Sequence, residues 1–379
     1  MDYNQNTKTS TTTSKPRYRH IDIVKGIAIS AIVLGHCDIA FPATKLVNFS
    51  ALACHLWHVA VFFVIAGFFL KEEKLKAPIT FFKNKLRTIY FKTLCFYIPA
   101  VLLHNVFIKI GFYSTDIDYY GKIVKTFTGA DLAKKIIETV LLAGREPIVG
   151  PLWFAYVLFI ALIGYSIVSF VIGKFFKDNN YWIAKGLVLF ALSMCSCILT
   201  NKYSITLNRF SNSISVMFLI YLGQLFNIRL KLTYNSWFAF VGSILLFLHG
   251  AILSGGIHLN NNDYKNVFHL ICAGGGTAYM FLFIAKRISE TYLGRIIAII
   301  GEYSFSIMAL HLLSFKLCTI ILNKYDLFST QLEYLTPGTG KNYFIALLYL
   351  LTGIFLPLIF IRSLEFAKNC VSTFFQKKQ

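Results

Sequence analysis

Acidic residues are scarce in this chain: 17 Asp and Glu stand against 37 Lys and Arg in 379 residues, a formal charge of +20. Charge of either sign is scarce too, at 14% of residues against 56% hydrophobic. A soluble protein of this length has no use for so much apolar surface. The bases fall between apolar runs of about 20 residues, the pattern of a polytopic membrane protein. Nucleic acid is therefore not the expected partner; membrane lipid is, with anionic lipid or an anionic cofactor as a further source of the charge bias. No Cys-x-x-Cys pair occurs among the eight cysteines. Most lie inside apolar runs and read as small packing residues, not as a disulfide or zinc framework. No Ala-x-Ala-like cleavage site follows the polar, Thr/Ser-rich residues 1–18, which read as a disordered cytoplasmic tail and not as a signal peptide. The alternating period of a membrane barrel is missing, as are an obvious internal repeat and a separate soluble domain. Only helices then satisfy their own backbone in lipid. The expected fold class is all-α: a polytopic helical membrane bundle of about ten transmembrane helices.

The apolar runs place spans near 21–41, 50–70, 89–110, 151–172, 183–200, 212–228, 234–254, 265–285, 296–322 and 342–363, within one membrane domain over 19–370. With Lys15, Arg17 and Arg19 in the cytoplasm, the connections that return there are basic: 71–76, 83–87, 173–178, 228–231 and 286–295. Residues 371–379 form a basic cytoplasmic tail, so both termini are expected inside, as the positive-inside rule requires. The connections at 41–49 and 255–263 carry almost no bases. The exception is 111–150, with Lys122, Lys125, Lys134, Lys135 and Arg145. Its stretch DLAKKIIETVLL is amphipathic and suited to the outer membrane surface.

Ionisable groups at membrane depth are costly and mark function by default. His36 lies ten residues past Gly26, about 15 Å along a helix, and His58 falls at similar depth on the next, antiparallel span. Asp22 and Lys25 are one turn apart and spaced to pair; Asp22 serves either as that partner or as a helix-start cap. Lys25 and His36, eleven residues apart, share a helix face. A lone membrane histidine is more often a structural hydrogen-bonding group, but the convergence of Lys25, His36 and His58 points to a site. His55 precedes His58 by three residues, yet no third ligand is evident, and no metal is expected. The His258 to Asp263 spacing, HLNNND, reads as a turn. The PGTGK stretch at 337–341 lacks the first glycine and the final Ser/Thr of a phosphate-binding loop. Gly274, Gly275 and Gly276 read as close helix-packing positions.

The opening stretch, with Arg19, Asp22, Lys25-Gly26 and Gly35-His36, resembles the start of membrane acyltransferase family 3, the family of bacterial sugar O-acetyltransferases. His58, Phe62, Phe63 and Gly67 are similar to the family's His-x-x-x-Phe-Phe-x-x-x-Gly-Phe run. Lys83 and Arg87 resemble its basic pair, Trp153 and Phe154 its Leu-Trp-Phe segment, and Ser304 with His311 its late Gly-x-x-Ser…His segment. The matches run in order from residue 19 to about 311. Lys25 and Lys83 depart from positions that are often Arg in the family, and lysine lacks the planar fork for bidentate phosphate binding. The sequence ends soon after the tenth span, without the C-terminal esterase-like domain of some members, so any second acyl-handling step is expected from another protein, such as a glycan-assembly protein. The short form is most similar to the branch called fucose 4-O-acetylase-like.

The resemblance implies transfer of an acetyl group from acetyl-CoA to a sugar hydroxyl of a cell-surface glycan or its lipid-linked precursor, at the bacterial inner membrane. His36 would be the general base. Lys25 would steady negative charge, with Asp22 beside it, and His58 would orient His36 or touch the acceptor. Lys83 and Arg87 would meet the CoA phosphates, although positive-inside topology explains them as well. Trp153, Phe154 and His311 are substrate-side candidates, for which an aromatic belt or helix packing is the blander role. The alternative from another class is a transporter or flippase for a glycan or lipid-linked sugar, which often shows inverted repeats and broken paired helices.

Overall fold

The computed structural model describes residues 18–42, 49–116, 118–119, 122–253 and 256–376. All but the last residue of the expected N-terminal tail, and residues 377–379, lie outside the described residues. Apolar runs fold into helices. The only strands among the described residues are β1 (Asp118–Tyr119) and β2 (Lys122–Ile123), a short antiparallel pair.

Helix α1 (Arg19–Gly35) is followed by a π-helical turn, Ala51–His55, and α2 (His58–Phe68). Short helices α3 (Glu72–Leu75) and α4 (Pro78–Lys85) come next; Pro78 sits where its missing N–H costs nothing. A second π-helical turn, Leu86–Tyr90, leads into α5 (Phe91–Leu102) and α6 (His104–Lys109). Helix α7 (Gly129–Val140) starts at a reciprocal cap in which Thr128 and Asp131 bond each other's backbone N–H. There follow α8 (Trp153–Phe175), α9 (Asp178–Tyr203), α10 (Arg209–Gln224), α11 (Trp237–Leu253), α12 (Val267–His269), α13 (Thr277–Ile288), α14 (Tyr292–Glu302), α15 (Ser304–Lys324) and α16 (Tyr343–Gln376). Helix α16 reaches into the expected C-terminal tail.

Among the described residues, six helical stretches are long and apolar enough to cross a membrane: Pro147–Phe175, Asp178–Tyr203, Arg209–Arg229, Val267–Ile288, Ser304–Lys324 and Tyr343–Cys370. Leu52–Phe68 and Trp237–Ile252 are apolar but shorter. The structure does not supply ten uniform spans, for local reasons. Helix α1 has 17 residues and carries Arg19, Asp22 and Lys25. The span expected at 89–110 contains Pro99 and is divided at Leu103. The span expected at 296–322 is divided at Tyr303 into α14 and α15.

Two helix crossings order the bundle, α1 with α14 and α2 with α10. Each is a reciprocal glycine contact. A Cβ on Gly26 would strike the Ile297 carbonyl, and one on Gly301 the Asp22 carbonyl. In the second crossing Gly67 abuts the Ile220 carbonyl and Gly223 the Val64 carbonyl. In lipid, where apolar burial drives little helix association, such close backbone approach is a main source of packing energy. Phe154 then wedges against Phe62 and Phe63, with ring centroids 5.6 and 4.8 Å away.

A buried polar network closes the far end of α10. Lys185 Nζ, fully buried, donates to Glu72 Oε1 at 2.7 Å, Tyr181 Oη at 3.0 Å and Gln224 Oε1 at 3.0 Å. Gln224 donates onward to the Leu70 carbonyl, and its Oε1 also accepts from the Tyr165 hydroxyl. The Lys185 ammonium also lies over the rings of Trp182 and Tyr181, 4.2 and 4.4 Å from their centroids.

Candidate active site

His36 is the residue that ends α1, just past the last helical position. Its Nδ1 lies 2.9 Å from the Ile32 carbonyl and 3.3 Å from His311 Nε2. His311 Nδ1 in turn lies 2.9 Å from the Ile307 carbonyl. A carbonyl only accepts, so each Nδ1 carries the hydrogen that satisfies its carbonyl. His311 Nε2 is then a bare acceptor facing the His36 Nδ1–H. The network leaves His36 Nε2 as a lone pair with no partner among the described residues. The chain beyond His36 is clamped as well: Thr339 Oγ1 donates to the Cys37 carbonyl at 2.9 Å, and Ala40 N to the Gly340 carbonyl at 2.7 Å. The PGTGK stretch thus braces the turn after His36.

His36 opens onto a cavity of about 1110 Å³, at the upper end of the usual ligand-pocket range. Its walls come from α5, the 124–151 segment, the start of α10 and the 260–261 turn. The turn is built by His258 and Asp263, which exchange backbone hydrogen bonds at 2.8 and 3.1 Å. Asn212 Nδ2 holds it to α10 through the Leu259 and Asn260 carbonyls. Deeper in the wall, His104 Nδ1 meets the Glu146 carboxylate at 3.0 Å, its Nε2 meets the Lys125 carbonyl at 3.0 Å, and Tyr113 donates to Glu146 at 2.7 Å. The His104 ring stacks on Phe127 at 3.6 Å. That wall is rigid and internally satisfied.

Three buried polar atoms on cavity-lining residues have no hydrogen-bond partner among the described residues: the Tyr97 hydroxyl, Thr139 Oγ1 and Arg209 Nε. Buried orphans are rare and costly in a finished structure. All three line one cavity.

Of the sequence-predicted residues, the structure brings His36 and Trp153 to the cavity wall and sets His311 against His36, with ring centroids 5.0 Å apart. The others lie elsewhere. Lys25 pairs with Asp22 at 2.6 Å inside α1. His58 makes no hydrogen bond to His36; its ring meets His55 at 5.8 Å, and its Nδ1 is buried without a partner among the described residues. Phe154 is core, packed between helices. Lys83 and Arg87 are exposed on α4 and the turn after it, away from this cavity. No group of three or more His, Cys, Asp or Glu among the described residues is placed to hold a metal ion. Sequence reasoning missed Arg209, Tyr97 and Thr139. One signal was present: the bases of 111–150 violate the positive-inside pattern, and Lys125, Lys134, Lys135 and Arg145 line this cavity.

Comparison with curated proteins and with solved structures gave no match. A family model described as an acyltransferase domain matches residues 18–366, nearly the whole chain. The quoted motif residues explain each other inside that frame: the first segment crosses the late one at Gly26 and Gly301, and the two end together at His36 and His311. The chain is a membrane protein that belongs to acyltransferase family 3.

Proposed function

We propose that this acyltransferase moves an acetyl group from acetyl-CoA to a sugar hydroxyl of a cell-surface glycan or its lipid-linked precursor, in the inner membrane of a bacterium. One observation carries the reading: a histidine whose tautomer is fixed by a carbonyl and a second histidine, on the wall of a large polar cavity. A hydroxyl bound there loses its proton to His36 Nε2 as its oxygen attacks the thioester carbonyl. The C–S bond then breaks, the ester forms, and the imidazolium returns the proton to the departing thiolate. His311 holds the ring and accepts from Nδ1–H throughout, so the nitrogen that works is always the same one.

By the positive-inside rule, the basic connections favour a reading in which both termini and Lys83 with Arg87 face the cytoplasm and the His36 cavity faces the other side. The donor then approaches from the side of Lys83, Arg87 and Lys25, the acceptor from the cavity. This two-sided arrangement suits an enzyme that joins a cytoplasmic thioester to an external glycan.

Purified protein incubated with radiolabelled acetyl-CoA and glycan acceptors is expected to yield labelled glycan. His36→Ala is expected to lower transfer by about 10²–10⁴-fold, the usual share of a general base, with an unchanged melting temperature. Undiminished transfer by a folded His36→Ala protein removes His36 from the chemistry. Mass analysis of surface glycans with and without the protein identifies the acceptor.

A further inference from the structure

The cavity's charge is not needed for ester formation at a hydroxyl. Its acids are already engaged: Glu146 by His104 and Tyr113, and Asp131 by the Thr128 cap. Its two arginines are not. Among the described residues Arg145 donates only to the Asn208 side-chain oxygen, at 3.2 Å, and Arg209 only to the Asn260 side-chain oxygen, at 3.4 Å. Neither has a carboxylate partner among the described residues. Arg209 is 8% exposed, and its Nε is buried without a partner among the described residues. A buried guanidinium without a counter-charge is expensive. Among the described residues the Asn260 contact is the only side-chain hydrogen bond Arg209 makes, and the orphaned Tyr97 hydroxyl belongs to a residue lining the same cavity. A planar donor fork of this kind fits a carboxylate or a phosphate edge-on.

We infer that the acceptor admitted to this cavity is anionic: a glycan bearing a carboxylate or a phosphate, seated by Arg209 and Arg145 while His36 addresses one of its hydroxyls. The inference builds on the acyl-transfer reading for the role of His36, but the binding it describes stands apart from catalysis. Tyr97 donates a further hydrogen bond to the same group, which relieves its own burial. Trp153, at the cavity wall, offers a face for a sugar ring and a reporter for its arrival.

The test uses the full chain in discs of zwitterionic lipid, with tryptophan fluorescence titrated against three oligosaccharides of equal length. One is neutral, one carries uronic acids and one ends in a phosphate. At least one anionic probe is expected to bind about tenfold or more tighter than the neutral one, as hydrogen bonds to a charged group imply, and to lose that margin as salt is raised. The stronger of the two anionic arms names the charged group. Arg209→Gln and Arg145→Gln are each expected to remove most of the preference, and Arg209→Lys to keep part of it. If Arg209→Gln does not fold, the exposed Arg145 decides. Equal binding of neutral and anionic probes, no binding of either anionic probe, or a preference that survives both substitutions overturns the inference. Labelled acetyl-CoA added to the same samples separates the two proposals. Equal transfer to neutral and anionic glycans sinks the anionic acceptor and leaves acyl transfer standing. Anionic binding without any transfer does the reverse.

Discussion

Helix α10 has a buried cation at each end, and the two are treated differently. At its last residue, Gln224, it helps enclose Lys185, whose ammonium has a carboxylate, an amide oxygen, a phenol and two aromatic faces around it. At its first residue, about 22 Å away at the helical rise, Arg209 has a single long contact and an orphaned Nε. Both groups are withdrawn from water; only one has its demands met by protein. A satisfied polar network fixes architecture, and an unsatisfied one beside a cavity is waiting for something. The contrast separates the two ends of this helix more clearly than charge or burial alone.

The sharpest way to break that contrast is at Lys185. Lys185→Ala leaves Glu72 without its cation, although Tyr181 still bonds Glu72 and Tyr165 still bonds Gln224, and is expected to cost about 3 kcal/mol, the low end of the loss when one partner of a buried pair is removed, because Glu72 is partly exposed. Thermal unfolding in detergent reads it. A melting temperature close to the parent's would mean that the network holds little. Next comes Gly67→Ala, which sets a methyl group against the Ile220 carbonyl in the α2–α10 crossing. Overpacking of this kind costs about 1–3 kcal/mol, again visible as a lower melting temperature, whereas Gly129→Ala, where a Cβ meets open space, is expected to leave it unchanged.

The smallest effect is expected at the cavity rim. The Thr128 hydroxyl and N–H hold the exposed Asp131 carboxyl below its ordinary range. A depressed carboxylate contributes stability above its unfolded pKa and loses it as pH falls through the folded one. The first turn of α7 should therefore fray in acid, below the usual carboxylate range near 4, and hydrogen exchange of the α7 amides measures this. Asp131→Asn should make that fraying independent of pH. An unaltered acid profile in that variant would assign the fraying to another group.

The sequence exposed the parts of this molecule that depend on composition and short spacing. Apolar run length announced a helical membrane bundle, and the one-turn separation of Asp22 and Lys25 announced their ion pair. The role of Gly26 and Gly67 was hidden, because a glycine's partner is a backbone segment far along the chain, Ile297 for one and Ile220 for the other. Helix breaks at Leu103 and Tyr303 were invisible to hydropathy, which does not register a local turn inside an apolar run. Around the site, His36 stood out as a polar group in an apolar stretch. Arg209 did not, because an arginine at the start of a helix reads as an ordinary boundary residue until the cavity beside it is seen. Lys83 and Arg87 were grouped with His36 by motif order, and order along a chain says nothing of which wall a side chain faces.

The mooring of α1 bears on how the protein is made. Arg19 bonds Glu290 and Ser289, some 270 residues later; His36 meets His311, 275 residues on, and Cys37 meets Thr339, 302 residues on. Helix α1 therefore meets partners that are synthesised 270 to 302 residues after it. Until then Arg19 and His36 stand without these partners, while Asp22 and Lys25 already pair within the helix, and a chain cut short before residue 311 has every upstream motif and no His36–His311 pair.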